Sequence, residues 1–344
     1  MGRKSRPPGR IPERRIDPYM ALSEFRLIEL LRGIGEGRAD VCLGIGDDAA
    51  LLRVPDGQRL VVCADAIVEG VHFPAGADAA DIGWRALAVN LSDMAAMGAR
   101  PRWATMTLTL PEADERWLRS FAKGFKALAD MHAVALVGGD TVRGPLNVGV
   151  QVMGTLADGQ GLLRSGAQPG DGVWVTGCLG DAAAGLEFAS GNRVVNIDAE
   201  RELCNRFLRP VPRVEFGSSL HGLATAAIDI SDGLMQDAQH IALASGVSIA
   251  LDAGSLPLSS ALTGVFEPSE ALRLALSGGD DYELLFTLPA ARERELQALA
   301  ASHGLPCTRI GTVNKGENVT CALEGNPWMP SYTGFDHFGA RRPE

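Results

Sequence analysis

Six times in this chain of 344 residues, an apolar run ends on a carboxylate flanked by glycine or another small residue. The strings are GIGDDAALL at 44–52, VVCADA at 61–66, NLSDMAAMG at 90–98, VGGDT at 137–141, IDISDG at 228–233 and SGGDDYE at 277–283. Apolar runs of this kind are buried strands or helices, and their ends are where the polypeptide leaves the core. Acidic ends scattered along a sequence can meet in space. A fold that gathers them must hold them with cations. Mg²⁺ takes oxygen ligands and commonly bridges carboxylates to substrate phosphates. Phosphoryl chemistry is therefore the reaction class the pattern points to.

Length allows two domains of ordinary size. Hydrophobic residues at 46% and charged residues at 22% describe a globular chain with a core. No apolar run approaches the roughly 18 residues of a membrane span, and the N-terminus lacks the apolar stretch of a secretory signal. A cytoplasmic protein without a membrane partner is expected. The net charge of −10 argues against nucleic-acid binding, which needs a basic face. Cys42, Cys63, Cys178, Cys204, Cys307 and Cys321 are far apart and form no CxxC pair. Free buried thiols are expected, not a zinc site.

Residues 1–20 include a basic, proline-bearing stretch that reads as a disordered tail. A first domain is expected over 21–155 and a second over 156–344, because the chain turns rich in Gly, Asp and Gln around 155–170. In the first half the pattern predicts a helix over 22–31 and a hairpin of strands 49–54 and 59–64 around Pro55-Asp56-Gly57. A helix over 79–97 follows, with Trp84, Leu87, Leu91 and Met94 as its buried stripe and Asn90 and Asp93 on another face. A strand over 102–110, a helix over 114–131 and strands over 134–137 and 147–154 complete that half. In the second half, strands fit 173–176, 224–230, 282–288 and 308–313. Helices fit a start at Asp181 and then 199–208, 213–223, 234–245, 267–276 and 289–303. Strands and helices mix in both halves, so the fold class is α/β or α+β.

GIGDDA matches a loose dinucleotide pattern, but a strand follows it where that motif requires a helix, and Asp47 and Asp48 would repel a pyrophosphate. Gly138-Gly139-Asp140 follows a buried-type strand, and its main chain could approach a phosphate. Asp181 opens a helix and reads first as its cap. Asp229, Ser231 and Asp232 stand at a strand-to-helix junction where capping and metal–nucleotide binding can coexist. Asp65 and Asp93 are site candidates, and an exposed helical position is the alternative for Asp93. His72 alone reads as structural. Arg143 and Arg164 are candidate phosphate partners.

In order along the chain, GIGDDAALL, D-x-x-V-x-G-x-H-F at 65–73, ALAVNLSDMAAMGARP at 86–101, GGDTVRGP at 138–145, RSGAQPGD at 164–171, DISDGL at 229–234, SGGDDYEL at 277–284 and GFDHF at 334–338 resemble the thiamine-monophosphate kinases of the PurM-like (AIR synthase-like) ATP-binding superfamily. The resemblance spans roughly residues 22–338. It implies a two-domain PurM-like fold, with an N-terminal sheet domain that forms a homodimer interface and a C-terminal mixed α/β domain. The implied reaction is transfer of the γ-phosphoryl group of ATP to thiamine monophosphate, the last step in making thiamine diphosphate. By similarity, Asp48, Asp65, Asp93, Asp140, Asp229 and Asp232 are magnesium ligands, and Asp65 and Asp140 are the catalytic pair. Gly139, Asp140, Arg164 and Ser231 match nucleotide-contacting positions. His72, Asp280 and Phe335 match acceptor-contacting positions.

Three positions depart from the family pattern. Cys63-Ala64 replaces a hydroxyl-bearing pair before Asp65, so a metal contact at Ala64 would run through its carbonyl or a water. Asp280 stands where Glu is common, and Phe335 where Tyr or Trp is frequent. Donor and acceptor are both anions, so cations and positioning would supply most of the rate, by direct in-line transfer without a phospho-enzyme. A related ATP-dependent ligase or synthetase, and a regulator that binds without turnover, are the alternative readings.

Overall fold

The computed structural model describes residues 24–35, 37–191, 197–328, 330, 334, 335 and 337. The basic tail expected over 1–20 lies outside them.

The first domain runs α1 (Glu24–Leu31), β1 (Val41–Leu43), β2 (Leu51–Leu52), β3 (Gln58–Val68), α2 (Ala79–Ala96), β4 (Arg100–Leu110), α3 (Glu115–Met131), β5 (Ala135–Arg143) and β6 (Asn147–Ala157). Four of these strands form one sheet in the order β3-β6-β4-β5. Side chains alternate between its faces. Ile67, Met106, Leu108, Val148, Val150 and Val152 turn to the face covered by helices and are buried. Among the described residues the opposite face is covered only in part. There Trp103, Ala135 and Val137 pack beneath Val41 and Leu52 of the small β1–β2 ladder and the adjoining Ala50.

The expected hairpin around Pro55-Asp56-Gly57 does not form. Leu51 and Leu52 pair with Val41–Leu43, and β3 pairs along its whole length with β6. The turn signal marks a reversal of the chain, whereas the long apolar strand takes the partner that completes the larger sheet.

Asp78 caps α2 by accepting from Ala80 N at 2.7 Å, and Asp114 caps α3 from Arg116 N and Trp117 N. The two helices approach closely at Gly124, where a Cβ would lie 1.8 Å from the carbonyl oxygen of Ala80. Helix α2 is buried on nearly every side. Such a helix belongs inside a core and not on a surface. It is clasped between the first sheet and the second domain.

The second domain contains β7 (Gly172–Thr176), α4 (Asp181–Ala189), α5 (Ile197–Leu208), α6 (Val214–Ser219), β8 (Ala226–Asp229), α7 (Leu234–Ser245), β9 (Ser248–Asp252), α8 (Ser260–Thr263), α9 (Pro268–Ser277), β10 (Leu284–Leu288), α10 (Glu293–His303), β11 (Cys307–Asn314), β12 (Val319–Leu323) and β13 (Asn326–Pro327). Its seven strands run β13-β12-β9-β11-β7-β10-β8. All neighbours are antiparallel except the parallel pair β12–β9. This is a mixed α/β, two-domain architecture. The helix expected over 213–223 ends at Ser219, and the strand expected from 282 begins at Leu284, because Tyr282 adopts φ 51°.

Candidate active site at the domain junction

Helix α2 carries Arg85, Asn90, Ser92 and Asp93 to the seam between the domains. Asn90 is buried and its Oδ1 accepts from Asp65 N at 3.0 Å, which ties the middle of β3 to the helix. Ser92 Oγ donates to Asp229 Oδ2 at 2.7 Å, across to the end of β8. The carboxyls of Asp65 and Asp93 lie close enough to shift one another's proton affinity. Asp65, Asp93, Asp229 and Asp232 thus come from a strand, a helix and a strand-to-helix junction into one anionic basin.

The basin resists full ionisation. Burial, then the charges of Asp229 and Asp65, pushes the Asp93 carboxyl up to about 8. Burial pushes Asp229 up to about 6, with the Ser92 bond opposing it. Asp65 is raised first by desolvation of its carboxyl among these neighbours, although the residue as a whole stays exposed. Asp232 is raised by burial. Low dielectric and like charge together favour the protonated forms.

The loop bearing Ser231 and Asp232 is shaped from below. Asp237 of α7 accepts through Oδ2 from Ser231 N, Asp232 N and Gly233 N at 3.1–3.3 Å. Neither Ser231 nor Asp232 caps that helix; its N-cap is Gly233. The neighbouring loop is laced to this one by Asp280 N to Ser231 O and Tyr282 N to Ile230 O, both 2.8 Å. Asp280 also receives Arg85 Nη2 and Tyr282 Oη through Oδ1. Asp232, Asp237 and His240 offer ligand atoms within 4.8 Å of one another.

His72 follows β3, and its Nδ1 accepts from Val68 N at 3.1 Å, which leaves Nε2 to carry the ring proton. Burial, helped by the charge of His337, holds its pKa below the usual value. The rings of His72 and His337 lie 5.0 Å apart, and Phe335 meets His337 edge-on at 4.7 Å. Phe335 N donates to Asp232 O at 2.9 Å. An aromatic wall therefore adjoins the acidic basin.

Arg164 is exposed, and its charge reaches Asp229. The sheet register sets Gly139 and Asp140 apart from the basin within one chain. Asp65, Val150, Met106 and Gly139 stand in one row across the sheet. Three strand spacings separate the ends of that row, about 14 Å. Asp140 is next along β5 and turns to the open face, as does Ala64. Asp48 lies exposed in the β1–β2 connection, and its N–H bonds to Asp47 Oδ1. Arg143 bonds to Pro111 O.

Asp181 does not cap α4. The N-cap is Gly180 in the left-handed region (φ 84°), and the distant Asp281 accepts from Gly180 N and Ala182 N. Asp181 instead receives Ser259 Oγ at 2.6 Å. Sequence reasoning missed Arg85, Ser92 and Asp237. The signal for Arg85 was a cation inside the apolar run of α2. Ser92 and Asp237 carried no such mark. All six cysteines are free; Cys321 is buried and Cys42 exposed.

The donor set is oxygen only, partly desolvated and unable to ionise fully by itself. It fits a hard divalent cation such as Mg²⁺, with Asp65, Asp93, Asp229 and Asp232 as the ligands one chain supplies.

Residues 46–156 match the family model for the AIR synthase related protein N-terminal domain, and residues 168–324 match its C-terminal domain. A thiamine-monophosphate kinase of Escherichia coli K12 is 46% identical over 323 residues, covering 93% of this chain and 99% of that protein. The crystal structure of thiamine-monophosphate kinase from Stenotrophomonas maltophilia superposes with a TM-score of 0.83 at 49% identity, covering 89% of this chain and 98% of the other. A structure of AaThiL complexed with AMPPCP and TMP superposes at 0.73 with 34% identity, covering 94% of this chain and all of that one, 100%. Among the described residues no helix is long and apolar enough to cross a membrane.

Proposed function

The chain belongs to the thiamine-monophosphate kinases of the AIR synthase related family, and on that premise we propose that the basin at its domain junction transfers the γ-phosphoryl group of ATP to the phosphate of thiamine monophosphate. The observation that carries this reading is the convergence of Asp65, Asp93, Asp229 and Asp232 on a seam lined by His72 and Phe335. Two anionic reactants meet there, and the carboxylates that would repel them bind cations instead. Bound Mg²⁺ would neutralise phosphate charge and align the reacting oxygen with the γ-phosphorus.

The chain's own groups then divide the work. Asp65, Asp93, Asp229 and Asp232 would hold the cations, and would give up the protons that burial and crowding keep on them. Arg164, Ser231 and the main chain at Gly139 orient the nucleotide. His72, Asp280 and Phe335 receive the acceptor, whose heterocycles stack on the rings. The acceptor phosphate is already ionised, so no general base is required and transfer is direct and in line. Residues 21–155 form the nucleotide- and metal-binding unit and 156–344 the second unit, in a cytoplasmic enzyme.

The functional unit is a homodimer. The open face of the first sheet carries Leu60 at 49% and Val62 at 48% exposure on β3, and Val142 at 50% beside Asp140 on β5. Exposed apolar side chains at both edges of a sheet face favour its burial against a second copy. In this reading Asp140 and Asp48 act in the partner's site, which keeps Asp140 as a proposed ligand and catalytic residue despite its distance from Asp65 in one chain.

Incubation with ATP, Mg²⁺ and thiamine monophosphate tests the assignment. ADP and thiamine diphosphate should appear in equal amounts. AMP or free phosphate as product would mean a ligase or synthetase reaction, and binding without product would mean a regulator.

A further inference from the structure

We infer that Arg85 is a positioning residue for acceptor recognition: it reaches from α2 of the first domain into the second and fixes the Asp280 carboxylate where that group meets the cationic heterocyclic end of the acceptor. This inference rests on the phosphotransfer reading above.

Arg85 is 1% exposed, although an arginine is rarely buried unless it is paired. Its two terminal nitrogens do different things. Nη2 donates to Asp280 Oδ1 and Nη1 to Phe207 O, each at 2.5 Å. The guanidinium lies 4.4 Å from the Phe207 ring centroid and 5.8 Å from that of Tyr282. Planar stacking and a forked donor set are what arginine offers and lysine does not. The side chain is therefore fixed by four contacts to the second domain: the Phe207 carbonyl in the last turn of α5, the Phe207 and Tyr282 rings, and the Asp280 carboxylate.

Asp280 is held just as firmly. Its backbone stands at φ 71°, a left-handed conformation that a residue with a Cβ keeps only where its surroundings over-determine it. Asp280 N–H donates to Ser231 O, and Tyr282 Oη donates to Oδ1 at 3.1 Å. Oδ1 thus takes both side-chain bonds. The carboxylate remains 26% exposed, beside His72 and Asp232, whose charges it reaches. Arg85 itself has no surface with which to touch a ligand. It acts through Asp280, and because it spans the seam, it couples the acceptor pocket to the relative placement of the two domains. The shorter Asp at position 280 makes this aim more critical, since the group cannot extend to correct it.

Steady-state kinetics of the full-length dimer, with each substrate varied in turn, test the inference. Arg85→Lys and Arg85→Met should raise KM for thiamine monophosphate by about tenfold or more, while KM for ATP changes less than about twofold, in line with the loss of a charge-assisted bond. Asp280→Asn should raise the acceptor KM similarly, and the double variant Arg85→Met with Asp280→Asn should be no worse than Arg85→Met alone. A merely structural role would lower the amount of folded enzyme and leave both KM values of the folded fraction unchanged. If the Arg85 variants do not fold, Tyr282→Phe decides, because it keeps the ring and deletes one bond to Oδ1; the acceptor KM should rise severalfold. An unchanged acceptor KM in the foldable variants, or equal rises for both substrates, overturns the inference. A wild-type protein that makes no thiamine diphosphate would overturn the phosphotransfer reading instead.

Discussion

Replacing Asp93 with Asn should stabilise the metal-free protein at alkaline pH. The folded value of about 8 stands above the ordinary 3.8, so the unfolded chain releases this proton first. The contribution of Asp93 is therefore complete below about pH 4 and is lost as pH rises through about 8. Each unit of displacement is worth about 1.4 kcal/mol. Between pH 5 and pH 8 the wild-type chain loses about 4 kcal/mol on this account. The basin opens to solvent at Asp65, and screening brings the observable loss to about 2 kcal/mol. Asn cannot ionise and loses none of it. Urea unfolding in chelator, at both pH values, reads the difference directly from the midpoints at constant slope. Added Mg²⁺ should narrow the gap, because an ion that binds only the folded wild type restores its stability. Parallel pH profiles for wild type and Asp93→Asn in chelator would refute the reasoning, because the carboxyls would then not be crowding one another.

Asp229→Asn or Asp65→Asn should lower kcat by at least about 10²-fold while circular dichroism stays native, as expected when an electrostatic group is lost from the site; retained turnover in both would count against the basin. Val62→Lys should convert the proposed dimer to monomers in sedimentation and abolish activity, because an unpaired charge buried in an apolar interface is costly. Mixing inactive Asp140→Asn and Asp229→Asn proteins after partial unfolding and reassembly should restore about a quarter of the wild-type sites, since half the dimers are mixed and each of those has one intact site; no recovery would place Asp140 and Asp229 in the same chain's site. Gly139→Ala should destabilise by about 3 kcal/mol or more in thermal melts, because its φ is 150° and a Cβ would stand 1.8 Å from Met106 O.

The sequence made local features legible and long-range partnerships less so. The bounds of α2 follow from Asp78 and its apolar spacing, and Leu87, Leu91 and Met94 are buried as that spacing demands. Asn90 is another matter. A polar residue off the apolar stripe reads as exposed, yet it is fully buried because its partner, Asp65 N, arrives from a different strand. The same limit explains the missed hairpin, where the partner of β3 lies some ninety residues on, and the missed cap of α4, which Asp281 supplies from across the fold. Strands β9 and β12, five residues each with burial that alternates, went unread because Ser, Ala, Thr and Asp dilute their apolar pattern. At the site, glycine-flanked acids pointed to Asp65, Asp93, Asp229 and Asp232, whereas no pattern within one sequence could say that Asp140 would stand on the far face of its sheet.

Binding of Mn²⁺ followed by electron paramagnetic resonance, on the same samples in which thiamine diphosphate is measured, tests the central claim most directly. In the presence of a non-hydrolysable ATP analogue the wild-type protein should bind Mn²⁺ tightly, and Asp93→Asn and Asp229→Asn should lose bound ions in parallel with their loss of turnover with ATP. Full production of thiamine diphosphate by protein stripped of divalent ions, or unaltered Mn²⁺ binding in both variants, would contradict it.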